Sequence, residues 1–262
     1  MLLNVRPCPE WLYLTFGSIL AGIVVVGKSF TNKDGGDLVD IVNKLRTCSL
    51  LVLDPGVDGQ NWENVSKVLE ITEDGGAVSQ RMSYLRYVIG HRFDKGVSGV
   101  KHLKQVQELI ESGYDSKVVL PEIKESDVMA LFQTTGSTGV PKLVAHTHDS
   151  VMIVRRFGDN EYFNGRYRLF NSRPFNWIGG FPFNVLYGQT RVTVSEFGHP
   201  ADDPVSRETD VIKEENCNLI VALAPRIATL VQKRVCHLFL LNRTPTPTHL
   251  YNNTCGSVRR SG

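Results

Sequence analysis

The residues best suited to chemistry in this sequence form one short stretch, rich in hydroxyl side chains and glycine, which ends at Lys142. Its candidate phosphate-binding residues are Thr134, Thr135, Gly136, Ser137, Thr138, Gly139 and Lys142. Because glycine lacks a Cβ, the backbone of such a loop can approach a ligand closely, and successive N–H groups can form a concavity for an anion. Hydroxyl groups add donors, and the lysine adds a movable positive charge. The stretch therefore predicts a loop that binds a polyphosphate.

Two common phosphate-binding patterns do not describe this loop. The P-loop has the form Gly-x-x-x-x-Gly-Lys-Ser/Thr, whereas Gly136 and Gly139 are closer together and Lys142 follows Pro141. The dinucleotide pattern Gly-x-Gly-x-x-Gly is not matched either. A flexible polar turn is the alternative explanation for a cluster of Gly, Ser and Thr. The strand-like run at residues 128–132 and the Pro-Lys pair after the loop favour phosphate binding.

The loop resembles the phosphate-binding signature of the adenylate-forming superfamily, which includes acyl-CoA synthetases, firefly luciferase and the adenylation domains of peptide synthetases. The superfamily pattern is Tyr/Phe-x-Ser/Thr-Ser/Thr-Gly-Ser/Thr-Thr-Gly-x-Pro-Lys-Gly, and this chain departs from it with Leu143 in place of the last glycine. His148, preceded by threonine, stands where the superfamily often opens a helix with Thr/Ser-His. Near the N terminus, residues 8–11 and 21–26 resemble its "Pro-Glu-Trp/Phe" helix opening and its "Ala-Gly-x-Val-Val-Val" strand.

A second resemblance concerns the acyl substrate. Residues 174–180 are similar to the superfamily signature Pro-Leu/Phe-Phe/Tyr-His-x-x-Gly, a segment that borders the acyl pocket. The resemblance implies acyl-pocket roles for Phe175, Asn176, Gly179 and Gly180. Because Asn176 stands where an aromatic residue or histidine is usual, we carry over no catalytic residue.

The alternation of short apolar runs with amphipathic segments predicts an α/β fold with parallel βαβ layers. The pattern predicts a helix at about 10–21, a strand at 23–26, a helix at 38–45 and a strand at 48–53. The resemblance implies that residues 1–234 form an incomplete N-terminal AMP-binding domain, truncated at both ends. Residues 235–262 have no helix or strand period and are rich in Pro and Thr, which predicts a disordered tail.

Composition excludes few classes of protein. The net charge of +2 gives no argument for nucleic acid or an anionic membrane, and the aromatic residues of 157–187 fit a core and an acyl pocket better than an RNA platform. Residues 11–27 carry no charge but are shorter than the roughly 20 apolar residues of a membrane span. Five scattered cysteines indicate free thiols in a reducing compartment. We therefore expect an intracellular protein, in the cytoplasm, a mitochondrion or a peroxisome.

The spacing of histidines and cysteines in the sequence gives little indication of a metal site. His146 and His148 lie two residues apart, but no third or fourth ligand accompanies them, so we predict no metal site.

The resemblance implies an ATP-dependent ligase that uses Mg²⁺, joins a carboxylic acid to AMP and then transfers the acyl group to CoA. The superfamily's Tyr-Gly-x-Thr-Glu and Thr-Gly-Asp strings, for adenine, Mg²⁺ and ribose, do not occur among the 262 residues, nor does its C-terminal lysine domain. We therefore expect the chain to be inactive by itself. Two alternatives stay open: a non-catalytic ATP-binding or regulatory protein, and an incomplete gene product without function.

Overall fold

The structure, a computed structural model of the chain, describes residues 1–28, 33–93, 100–113, 117–134, 142–156, 167–194 and 204–232. The predicted disordered tail at residues 235–262 lies outside these ranges. The strands are β1 Leu2–Asn4, β2 Val25–Gly27, β3 Leu50–Leu53, β4 Glu70–Ile71, β5 Ala77–Val78, β6 Tyr87–Gly90, β7 Lys104–Gln105, β8 Val128–Thr134, β9 Lys142–Thr147, β10 Arg168–Phe170, β11 Thr190–Val192 and β12 Leu219–Ile220.

The helices alternate with these strands along much of the chain. They are α1 Pro9–Leu20, α2 Gly36–Leu45, α3 Gln60–Ser66, α4 Val106–Gly113, α5 His148–Arg156, α6 Phe183–Leu186, α7 Pro204–Glu214 and α8 Ala224–Gln232. The described residues divide into two compact units, the first drawn from the described parts of 1–156 and 173–183 and the second from 167–172, 184–194 and 204–232.

The first unit is built on a sheet of seven strands in the order β7-β6-β3-β1-β2-β8-β9. Neighbouring strands are parallel except for β8 and β9, which are antiparallel. The chain runs from β1 outward to β2, then crosses back to β3 on the other side of β1, which is a doubly wound arrangement. The predicted α/β fold with parallel βαβ layers is therefore confirmed.

Local sequence explains why the first helix of this unit forms where it does. Pro9 occupies the first turn of α1, where its missing N–H costs nothing, and Cys8 caps the helix in an extended conformation. Trp11, Thr15 and Ile19 lie four residues apart and are buried, so one helix face packs on the sheet. Gly22, with φ of +72°, ends the helix in a left-handed conformation that glycine adopts without strain.

The second unit contains a parallel sheet of three strands in the order β11-β10-β12, with helices α7 and α8. Its core consists of Phe170, Val192, Ile212, Cys217 and Leu230. Strand β11 and helix α8 contribute Val192 and Leu230 to this core.

None of the helices in the described ranges combines the length and the apolar character needed to cross a membrane.

Candidate functional site

The predicted phosphate-binding loop connects β8 to β9 in an antiparallel hairpin. Thr134 pairs directly with Lys142, so the two ends of the loop lie side by side, and both residues are exposed. The predicted ligands Thr135, Gly136, Ser137, Thr138 and Gly139 lie outside the described residues. The structure therefore places the first and last residues of the predicted set next to each other at one end of the hairpin.

A cluster of aromatic rings supports this hairpin. The ring of Phe132 in β8 lies 5.2 Å from that of Phe181 and 6.1 Å from that of Phe183, measured between centroids. The ring of Phe181 in turn contacts Trp11 of α1 at 5.7 Å and Phe16 at 6.2 Å. We call these residues, with Phe175, the aromatic cluster. It joins helix α1, the hairpin and residues 175–183 through ring contacts, and its members Trp11, Phe132, Phe175 and Phe181 are buried.

His146 packs against the aromatic cluster and forms no pair of metal ligands with His148. The His146 ring in β9 packs edge-on against Phe132 at 5.3 Å, whereas His148 begins helix α5. The predicted helix opening at His148 is therefore found at that residue.

The predicted acyl-pocket residues form a tight turn that rests on the aromatic cluster. Phe175 is buried with its ring 5.1 Å from that of Trp11. Gly180 donates its N–H to the carbonyl of Trp177 at 2.8 Å, and a Cβ on Gly180 would lie 2.0 Å from the carbonyl oxygen of Pro174. The glycine is thus required by the fold of the turn.

Two other contacts fix the position of this turn. A Cβ on Gly27, at the end of β2, would lie 2.6 Å from the Cα of Asn176, so the backbones of the two segments meet directly. The guanidinium of Arg173 lies 4.6 Å from the ring centroid of Trp177. Trp177 and Ile178 remain 41% and 37% exposed, which leaves two apolar side chains available at the surface of the turn.

A second group of polar residues lies at the carboxyl ends of β1 and β3. At this point the chain stops adding strands on one side of β1 and begins to add them on the other. The carboxylate of Asp54 is fully buried and accepts hydrogen bonds from the backbone N–H of Arg6 at 2.6 Å and from that of Gly56 at 2.7 Å. The Nε of Arg6 also donates to it at 3.1 Å. Crevices at such points commonly bind ligands. Here the contacts to Asp54 link the segment that follows β1 to the segment that follows β3.

Three potential metal ligands come together in the same unit, on the side chains of Cys8, Glu10 and His91. The Sγ of Cys8 lies 3.7 Å from Nε2 of His91, and the same nitrogen lies 4.0 Å from Oε2 of Glu10. Burial raises the pKa of the Cys8 thiol to about 11 and lowers the pKa of His91. Burial opposes ionisation of Glu10, but hydrogen bonds from its own backbone N–H and from Arg92 outweigh it and lower the pKa of the carboxyl.

This group was not predicted from the sequence, because His91 lies 83 positions after Cys8. A cavity of about 420 Å³ opens beside it, lined in part by Glu10, His91, Arg92 and Gln105.

Solved structures with a similar fold include acyl-CoA ligases and related enzymes. The N-terminal domain of FACL13 from Mycobacterium tuberculosis matches with a TM-score of 0.63 and 17% identity, over 88% of this chain and 51% of that one. The o-succinylbenzoate CoA synthetase of Bacillus subtilis, solved with its acyl-adenylate intermediate, gives 0.55 and 17%, over 88% and 51%. A fatty acyl CoA synthetase of Mycobacterium tuberculosis gives 0.63 and 16%, over 88% and 40%.

These likenesses show that the chain has the fold of acyl-CoA ligases and related adenylate-forming enzymes. The chain belongs to the family of AMP-binding enzymes, whose family model matches residues 2–260. The chain spans about half the length of the solved relatives it resembles. A comparison with curated protein sequences gives no match.

Proposed function

We propose that the chain is part of an ATP-dependent ligase similar to acyl-CoA synthetases, and that the loop from Thr134 to Lys142 binds the β- and γ-phosphates of ATP. The observation that carries this proposal is the β8–β9 hairpin, in which Thr134 pairs with Lys142. That pairing places the two ends of the hydroxyl-rich segment side by side, with Lys142 at the second end. Membership of the AMP-binding enzyme family supports the same ligand.

The reaction of such a ligase has two steps. A carboxylate oxygen attacks the α-phosphorus of ATP, the bond from that phosphorus to the bridging oxygen breaks, and pyrophosphate leaves with the bond's electron pair. The CoA thiolate then attacks the acyl carbon of the acyl-adenylate, and AMP leaves. The charge that develops on the pyrophosphate is the charge that Lys142 and the donors of the loop stabilise in our proposal.

The hairpin contributes positioning as well as charge. Phosphoryl transfer depends mainly on holding the reacting groups in line, and a small displacement of a binding loop lowers the rate strongly. Phe132 lies two residues before Thr134 and is 3% exposed, so its contacts in the aromatic cluster hold the base of the loop. The loop is thus anchored at its β8 end by packing.

We propose that the turn at residues 174–180 borders the apolar part of the carboxylic acid. Phe175 is packed against Trp11 and supports the turn from beneath. Trp177 and Ile178 present apolar surface, and Gly179 and Gly180 keep the turn compact. The solved o-succinylbenzoate CoA synthetase contains an acyl-adenylate, which is the type of intermediate we propose for the whole enzyme.

Mg²⁺ is implied by the family, but the described hairpin does not fit it. Protein-bound Mg²⁺ prefers carboxylate oxygens, and neither Val128–Thr134 nor Lys142–Thr147 contains Asp or Glu. We therefore assign no step to Mg²⁺ on these residues.

We propose that the protein acts inside the cell. Cys8, Cys48 and Cys217 are free and buried, which is the usual state of cysteines in a reducing compartment. ATP and CoA are available there as substrates.

Two measurements on the 262-residue protein test the proposal. We expect ATP to bind through its phosphates, and we expect no exchange of pyrophosphate into ATP with fatty or aromatic acids, because the superfamily strings for adenine and ribose are not in the sequence. Exchange activity would contradict the expected inactivity and support the ligase class. Absence of ATP binding would contradict the phosphate-loop assignment and favour a gene product without function.

A further inference from the structure

The three side chains of Cys8, Glu10 and His91 come from two places in the first unit. Cys8 precedes α1, Glu10 lies in its first turn, and His91 follows β6. The order β6-β3-β1 separates strands β6 and β1, which precede His91 and Cys8, by one strand. The Sγ, Nε2 and carboxylate oxygen nevertheless lie within 4.8 Å of one another.

The backbone holds two of these residues in place. The N–H of His91 donates to the carbonyl of Leu53 at 2.9 Å, which continues the pairing of β6 with β3. The carbonyl of Cys8 accepts from the N–H of Trp11 at 3.2 Å, which is the first turn of α1. The side chains of Cys8 and His91 are 6% and 5% exposed, so packing restricts them as well.

We propose that Cys8, Glu10 and His91 bind Zn²⁺ through Sγ, one carboxylate oxygen and Nε2, with a fourth coordination position open to the neighbouring cavity. Zn²⁺ accepts this combination of sulfur, nitrogen and oxygen ligands, and sites with three protein ligands keep one position for water or substrate. Mg²⁺ and Ca²⁺ prefer oxygen ligands alone, so they do not fit the thiol and the imidazole.

Two of the three ligand separations require only small movements, and the third, from Cys8 to Glu10, is no more than 4.8 Å. Zinc bonds of about 2.0–2.3 Å at tetrahedral angles place ligand atoms roughly 3.3–3.7 Å apart. The Cys8–His91 separation of 3.7 Å is already at that limit, and the His91–Glu10 separation of 4.0 Å is slightly above it.

Arg92 is part of the geometry of this site. Its guanidinium donates to Oε1 of Glu10 at 3.2 Å and lies 3.4 Å from Oε2, while Oε2 is the oxygen nearest to His91. Zn²⁺ with one thiolate and one carboxylate has no net charge, so the arginine does not face a net positive centre. Contacts of this kind orient the side chains that bind a metal and affect the affinity of the site for that metal.

The site is distinct from the phosphate-binding loop and does not depend on the proposed ligase function. The cavity beside it has a polar wall, including Gln105 and Glu108, which suits a metal-bound water or a small polar ligand.

Binding of Co²⁺ and Zn²⁺ to the full chain tests the proposal. Cys236 and Cys255 are first replaced by serine, so that only Cys8, Cys48 and Cys217 can supply a thiolate. We expect one Co²⁺ per chain, with a thiolate-to-cobalt charge-transfer band in the near ultraviolet. Cys8→Ser should abolish that band, and the matched control Cys48→Ser, another buried cysteine, should keep it.

Zn²⁺ affinity provides the second measurement. Replacement of a residue that only orients a metal ligand weakens metal binding about 10–100-fold. Cys8→Ser and His91→Ala each remove a metal ligand itself, so each should weaken Zn²⁺ binding by at least about 100-fold. Zn²⁺ should also raise the melting temperature of the parent and leave that of Cys8→Ser unchanged. The partly exposed Glu10→Gln variant, expected to bind at least about tenfold more weakly, covers the case in which the buried variants do not fold. A missing cobalt band, or equal Zn²⁺ affinity in the parent and Glu10→Gln, would overturn the proposal.

Discussion

The rings of Phe132 and Phe181 meet at a right angle, with centroids 5.2 Å apart and an interplanar angle of 90°. Phe132 belongs to the strand that enters the phosphate-binding loop, and Phe181 follows the turn that we assign to the acyl substrate. Edge-to-face aromatic pairs add about 0.5–1.5 kcal/mol beyond the burial of their area. This contact therefore fixes the two proposed substrate-binding segments to one core.

Replacement of Phe132 by alanine should lower the free energy of unfolding by about 3–5 kcal/mol, the usual cost of truncating a buried phenylalanine. Urea unfolding monitored by circular dichroism measures it. Tyr13→Ala is the matched control, because Tyr13 is 69% exposed and its loss should cost less than about 0.5 kcal/mol. Equal effects of the two substitutions would show that the aromatic cluster does not support the hairpin.

Gly180→Ala should destabilise the protein by about 1–3 kcal/mol, because the new methyl group would collide with the Pro174 carbonyl oxygen at 2.0 Å. Gly17→Ala is the opposite case. Apart from the helix's own backbone, no atom of the described residues lies within 4 Å of a Cβ at Gly17 in α1, so alanine should stabilise the helix by about 0.5–1 kcal/mol. A comparison of the two melting temperatures checks both signs. If Gly180→Ala melts at or above the parent temperature, the described turn is wrong.

Asp54→Ala should cost about 2–4 kcal/mol, because it removes a buried acceptor and leaves the Arg6 and Gly56 N–H groups without it. The exposed Asp40→Asn variant of α2 should change the free energy of unfolding by less than about 0.5 kcal/mol. Chemical denaturation of both variants is the measurement. A neutral Asp54→Ala would mean that the carboxylate does not join β1 to β3.

Cys48 and Cys217 should react slowly with iodoacetamide in the folded protein. Burial raises the pKa of both thiols, and each is only 3% exposed, so the reactive thiolate is scarce and the reagent must await local opening. With Cys236 and Cys255 replaced by serine, mass spectrometry should find alkylation of Cys48 and Cys217 at least about tenfold slower in buffer than in urea. Equal rates in the two solvents would contradict their burial.

Local patterns in the sequence predicted the strand that enters the loop. The apolar run at residues 128–132 lies within β8, because the pattern of apolar residues that marks a strand acts over short distances. The antiparallel pairing of β8 with β9 was not predicted, although a connection this short cannot join parallel neighbours.

Features that depend on strand order could not be found in the same way. Cys8 and His91 are separated by 83 positions. They come together because the strand order places β1 and β6, which precede them, only one strand apart in the sheet. The helix α3 and the β4–β5 hairpin were also missed, because residues 56–100 show no clear period. The acyl-pocket roles of Phe175, Asn176, Gly179 and Gly180 stay predictions.

The most direct test of the account is a titration of ATP and AMP against the parent protein and two lysine variants. Lys142→Ala removes a charge-assisted contact worth about 1.5–3 kcal/mol, so ATP should bind at least about tenfold more weakly. AMP has no β- or γ-phosphate, and its affinity should be nearly unchanged. The control Lys117→Ala removes an exposed lysine that is not part of the hairpin and should leave both affinities as in the parent. Unchanged ATP affinity in Lys142→Ala, or an equal loss for ATP and AMP, would contradict the assignment of this loop to the phosphates of ATP.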